Sequence, residues 1–111
     1  MKYIVIERAV VPRLPEPRGT KLSKIVTAHY KHLKKLQDQG KLVHYSFVGI
    51  PGGYNIIDAK NHEELDRMMM ELPRFSYSNY EVVPVLTLDE GIACAEFIAK
   101  KYQAEEEKIK K

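Results

Sequence analysis

The chain contains one cysteine, Cys94, so no disulfide can form within it. That excludes a small secreted scaffold held by disulfide bonds. Charge of one sign is also scarce. The formal net charge is +3, and the lysines are spread out rather than gathered into the basic stripe of a nucleic-acid binder. Near the C-terminus they alternate with Glu105, Glu106 and Glu107. No apolar run approaches the roughly 20 residues of a membrane span. The opening Met1-Lys2-Tyr3-Ile4-Val5-Ile6-Glu7 meets an acid too soon for a signal peptide. Repeats and low-complexity segments are lacking. His29 and His32 stand three apart, but no third ligand accompanies them, so no metal is expected. These absences point to a cytoplasmic protein with no nucleic-acid or membrane partner. Cys94, flanked by Ala93 and Ala95, reads as a buried structural thiol.

What is present suits one domain. The 111 residues allow one core and not two. Apolar residues make up 44% and charged residues 30%, the profile of a globular protein.

Ile and Val dominate Tyr3 to Val11, which predicts a strand. Pro12, Pro15, Pro17 and Gly19 then force a loop. With Thr20 as N-cap, Leu22, Ile25, Val26, His29, Leu33 and Leu36 recur at helical spacing up to Gln39. Gly40 ends that helix. Leu42–Ile50 and Tyr54–Ala59 form a hairpin across Pro51-Gly52-Gly53. Asn61 caps a second helix, with Glu64 three residues on as in a capping box. Leu65, Met68, Met69 and Leu72 mark its apolar side, and Pro73 stops it. A loop from Arg74 to Tyr80 leads to a strand over Glu81–Leu88, and a third helix runs from Asp89 to about Lys108.

The order β-α-β-β-α-β with a terminal helix is the split βαβ pattern of an α+β, ferredoxin-like antiparallel sheet. Residues 1–88 make that domain and 89–111 the extra helix. Pro84 fits an edge strand. Both sheet faces are apolar: Tyr3, Val5 and Ala9 to one side, Ile4, Ile6 and Val10 to the other. Helices cover one face only, so the second would be a sticky patch unless covered. A partner subunit is the expected cover, giving a homo-oligomer in the manner of a dimeric α+β barrel. The alternative is that Ile92, Phe97 and Ile98 fold the terminal helix over the sheet.

The segment Leu65-x-x-Met68-x-x-x-Leu72-Pro73-x-Phe75-x-Tyr77-x-x-x-Glu81-Val82 resembles muconolactone isomerase. Leu36-Gln37-x-x-Gly40-Lys41-x-x-His44 and the stretch from Gly49 through Tyr54 to Asp58 are similar as well. Together they span roughly residues 29 to 88. Ser76 stands where the family has proline, and Leu88 with a long helix follows where the family has a histidine and soon ends. The resemblance implies a cofactor-free isomerase of aromatic catabolism that moves a proton between two carbons of an unsaturated lactone. The fold also hosts non-catalytic binding proteins and small cofactor-independent monooxygenases.

A 1,3-proton shift beside a carbonyl needs a base, an acid and a donor for the enolate oxygen. His29, on an inward helical stripe, is the first candidate; its ordinary reading is a hydrogen-bonded core histidine. Glu7 interrupts an apolar strand. It should either pair with an arginine, across a subunit interface, or line a cavity that raises its pKa and makes it a base. His44 is the third catalytic candidate, with a rim histidine as the ordinary reading. Tyr45 and Tyr54 on the paired strands are candidate phenolic donors to a small organic substrate. Arg74 is a candidate for holding a substrate carboxylate, with Phe75 and Tyr77 shaping the pocket; the plainer reading is a solvated Arg74 and a core Phe75.

Overall fold

The computed structural model describes residues 1–13 and 19–110; the predicted loop prolines Pro15 and Pro17 lie outside that range. The elements are β1 (Lys2–Ala9), α1 (Thr20–Asp38), β2 (Leu42–Ser46), β3 (Gly52–Asp58), α2 (His62–Met70), β4 (Ser78–Val85) and α3 (Leu88–Lys110). One four-stranded sheet runs in the order β2-β3-β1-β4, and every neighbouring pair is antiparallel. This is the ferredoxin-like α+β topology, with Pro84 on an edge strand opposite Tyr3.

Local chemistry sets the boundaries. Gly19, not Thr20, holds the N-cap of α1, and no side chain caps it; the first turn is closed by the Ser23 N–H on the Gly19 carbonyl. At the other end Gly40 takes a positive φ of 73°. Its N–H reaches the Gln37 carbonyl while Lys41 N–H reaches Leu36, which satisfies two orphan carbonyls. The side chain of Asn61 accepts the Glu64 N–H at 2.9 Å, and Glu64 in turn accepts from the Lys60 N–H at 2.9 Å.

Strand edges differ from the sequence pattern: β1 ends at Ala9 rather than Val11, and β4 at Val85 rather than Leu88. β2 stops at Ser46, because the Phe47 N–H to Gly52 carbonyl bond closes the hairpin early. β3 therefore starts at Gly52, where glycine is required. A Cβ there would lie 2.2 Å from the Glu7 carbonyl oxygen, and φ is +129°. β4 starts at Ser78, directly after a 3-10 turn over Phe75–Tyr77 that occupies the predicted loop.

Tyr3, Val5 and Ile57 face the helices and meet Leu33 and Leu36 of α1 and Leu65, Met68 and Met69 of α2 in one core, closed by Leu72. Met70, third of the methionine run, is exposed. The opposite sheet face lies open, with Val43, Tyr45, Ile56 and Val83 all more than a third exposed. α3 does not fold back over it. Ile92, Phe97, Ile98 and Tyr102 are exposed on a 23-residue helix, and the molecule measures 74 × 30 × 26 Å. Cys94 is consequently exposed, not a core thiol. No helix among the described residues is long and apolar enough to cross a membrane.

Candidate functional site

Glu7 sits on the inner face of β1 and is 2% exposed. The turn that follows α2 brings Arg74, 3% exposed, against it. Arg74 Nε donates to Oε2 at 2.8 Å and Nη2 to Oε1 at 2.7 Å. Ser78 Oγ donates to Oε2 at 2.7 Å, and the Tyr80 hydroxyl adds a longer bond at 3.4 Å. His29 Nε2 stands 3.6 Å from Oε1. The Arg74 backbone N–H donates to His29 Nδ1 at 3.3 Å, so the imidazole proton belongs on Nε2, facing the carboxylate.

Burial alone would raise the Glu7 pKa. The hydrogen bonds from Arg74 and Ser78, with the nearby His29 N–H, outweigh it and hold the carboxyl well below the usual carboxylate range. The bonds to Glu7 likewise raise Arg74 despite its burial. Burial, then the Glu7 charge, pushes the Tyr80 phenol up. These directions reverse the one expected of a cavity-lining Glu7, and the arginine partner comes from the same chain. Arg74 is correspondingly buried, not solvated. A carboxylate with these donors is a weak base and a strong anchor.

Tyr30 links this network to a second one. Its ring lies under the Arg74 guanidinium at 5.6 Å and meets the His29 and His44 rings edge-on, both at 5.8 Å. His44 Nδ1 is 2.7 Å from Asn55 Oδ1, and His44 Nε2 is 2.8 Å from Ser46 Oγ. Ser46 Oγ stands 3.4 Å from the Tyr30 hydroxyl. With Oδ1 accepting from Nδ1–H, Nε2 keeps its lone pair and accepts the serine proton. Gly53 makes this arrangement possible. A Cβ on it would lie 3.0 Å from His44 Cε1 and 2.3 Å from the Tyr45 carbonyl oxygen. Beside His44 opens a crevice of about 200 Å³ lined by Tyr30, Leu33, Lys34, Gln37 and His44. That is room for a molecule of one ring, since a cavity of roughly 150 Å³ takes benzene.

The candidates thus divide. Glu7, His29 and Arg74 meet in the buried network, and His44 stands across Tyr30 at the crevice. Tyr45 and Tyr54 lie on the open sheet face, stacked at 5.2 Å, and do not converge with the histidines. Phe75 stacks on Tyr80 at 5.5 Å beside the core. Tyr77 is half-buried, its carbonyl accepting from the Val10 N–H at 2.8 Å. Sequence reasoning missed Tyr30, Ser46, Asn55, Ser78 and Tyr80. Among the described residues no three of His, Cys, Asp and Glu stand close enough to hold a metal ion.

Fold and site together define a small ferredoxin-like α+β protein with a buried ion-pair network joined through Tyr30 to a one-ring crevice. The family model for muconolactone delta-isomerase matches residues 1–89, and the chain belongs to that family. A crystal structure of muconolactone isomerase is similar in fold, with a TM-score of 0.68 and 22% identity, covering 78% of this chain and 90% of that one. No match is found among curated proteins. The protein is muconolactone isomerase-like, and α3 lies almost entirely beyond the matched residues.

Proposed function

We propose that this chain is a cofactor-free isomerase that shifts a proton on a small unsaturated lactone or acid, at the crevice beside His44. The observation that carries the reading is a histidine held by Asn55 with its unprotonated Nε2 turned to Ser46, at the rim of a one-ring crevice, in a chain of this family. His44 takes a proton from one carbon and returns it to another. The Tyr30 hydroxyl donates to the developing enolate oxygen. Lys34 at the mouth attracts a carboxylate. Glu7, Arg74 and His29 act from behind, fixing the position of Tyr30. Tyr45 and Tyr54, with the open sheet face, belong to contacts between copies in a cytoplasmic homo-oligomer, and α3 packs on the partner subunit. A non-catalytic binding protein is the second reading, favoured by the saturation of Glu7, which leaves no spare acid.

The test is to follow muconolactone absorbance on adding the protein. Turnover that falls about 100-fold or more in His44→Ala supports the assignment. No turnover by folded wild-type protein rejects this substrate. Equal turnover in His44→Ala rejects the site.

A further inference from the structure

We infer that Ser46, His44 and Asn55 form a nucleophilic acyl-transfer site for small esters or lactones. This activity is distinct from proton shifting and does not require it. The three side chains stand in the order nucleophile, base, orienter. Ser46 Oγ is 2.8 Å from His44 Nε2, and His44 Nδ1 is 2.7 Å from Asn55 Oδ1. Nucleophilic serine chemistry needs this pair of contacts on opposite nitrogens of one imidazole.

The arrangement is built into the sheet. His44 and Ser46 share a face of β2 because they are two apart, and Asn55 is directly opposite His44 on β3. Asn55 is 2% exposed, so its amide is fixed by its surroundings. Gly53, opposite Ser46, leaves the space that the imidazole edge occupies. Ser46 itself is exposed, and its partners His44 and Tyr30 both line the crevice. The Tyr30 hydroxyl, 3.4 Å from Oγ, is within reach of an oxygen on the carbon that Oγ attacks.

The chemistry balances without an external redox partner. Ser46 Oγ bonds to the carbonyl carbon and its proton passes to His44 Nε2. The carbonyl electron pair moves onto oxygen, held by the Tyr30 hydroxyl. Collapse breaks the ester C–O bond, and the leaving oxygen takes the proton from His44. Water, deprotonated by His44, then releases the acyl group as a carboxylic acid and restores Ser46. Crevice size and the aromatic wall of Tyr30 favour short acyl groups on a single ring.

The probe is p-nitrophenyl acetate, with the full chain. The expected result is a burst of p-nitrophenolate and one acetyl group on Ser46, located by peptide mass spectrometry. Ser46→Ala should abolish the adduct and lower the rate about 100-fold. Asn55→Asp should raise the rate, because a carboxylate stabilises the imidazolium that an amide only orients. Ser46→Ala changes one exposed hydroxyl, and its melting curve establishes that it folds. An unchanged rate in Ser46→Ala, or acetyl groups confined to lysines, overturns the inference.

Discussion

Arg74 grips Glu7 through two parallel hydrogen bonds, Nε to Oε2 and Nη2 to Oε1, with both side chains buried. Paired in this way, each charge is tolerated; alone, neither is. The consequence is a strong dependence of stability on keeping both. Glu7→Gln or Arg74→Met should each cost about 3–5 kcal/mol in urea denaturation. The double substitution Glu7→Gln with Arg74→Met should cost much less than the sum. Additive losses would contradict the pairing.

The same pair sets an acid limit. The Glu7 carboxyl is depressed in the folded state, so its contribution is fully present above the pKa of an unfolded glutamate, about 4.3. It is lost progressively as pH falls below that value toward the folded one. The urea midpoint of wild-type protein should therefore drop between roughly pH 4 and pH 2, and that of Glu7→Gln should drop less. Parallel profiles would show that Glu7 is not the group responsible.

Gly53→Ala places a Cβ where the Tyr45 carbonyl and the His44 ring already are. The backbone must yield, at a cost of about 1–3 kcal/mol. His44 should shift with it, so muconolactone turnover and ester hydrolysis should both fall by more than the unfolded fraction accounts for. A variant as stable and as active as wild type would refute the close approach.

Ile56→Glu puts a charge in the middle of the open sheet face. In the proposed homo-oligomer it should yield a folded monomer in sedimentation velocity, with an unchanged circular dichroism spectrum. A wild-type protein that already sediments as a monomer at micromolar concentration would defeat the assembly proposal.

The fold was legible because a run rich in Ile and Val marks β1, and the 3.6 spacing of Leu22, His29, Leu33 and Leu36 marks α1. Strand ends were less so. The early closure of the hairpin depends on one backbone bond, Phe47 to Gly52, that composition does not announce. At the site, the oddity of Glu7 in an apolar strand was visible, but its partner lies 67 residues away and only the tertiary path after α2 brings it close. Asn55 carried a readable signal. A register that sets Tyr45 opposite Tyr54 must also set His44 opposite Asn55. Ser78 and Tyr80 carried none, because their strand begins earlier than its run of valines suggests.

The Phe47–Gly52 bond has a further consequence for how this chain tolerates change. It seals the hairpin above both glycines, so Val48, Gly49, Ile50 and Pro51 form an exposed tip. Residues added or removed there lengthen or shorten a surface loop at small entropic cost. They leave untouched the strand pairing that seats His44 against Asn55 and Glu7 against Gly53. At this end of the hairpin the chain thus carries a segment free to vary in length while the paired strands behind it stay in register.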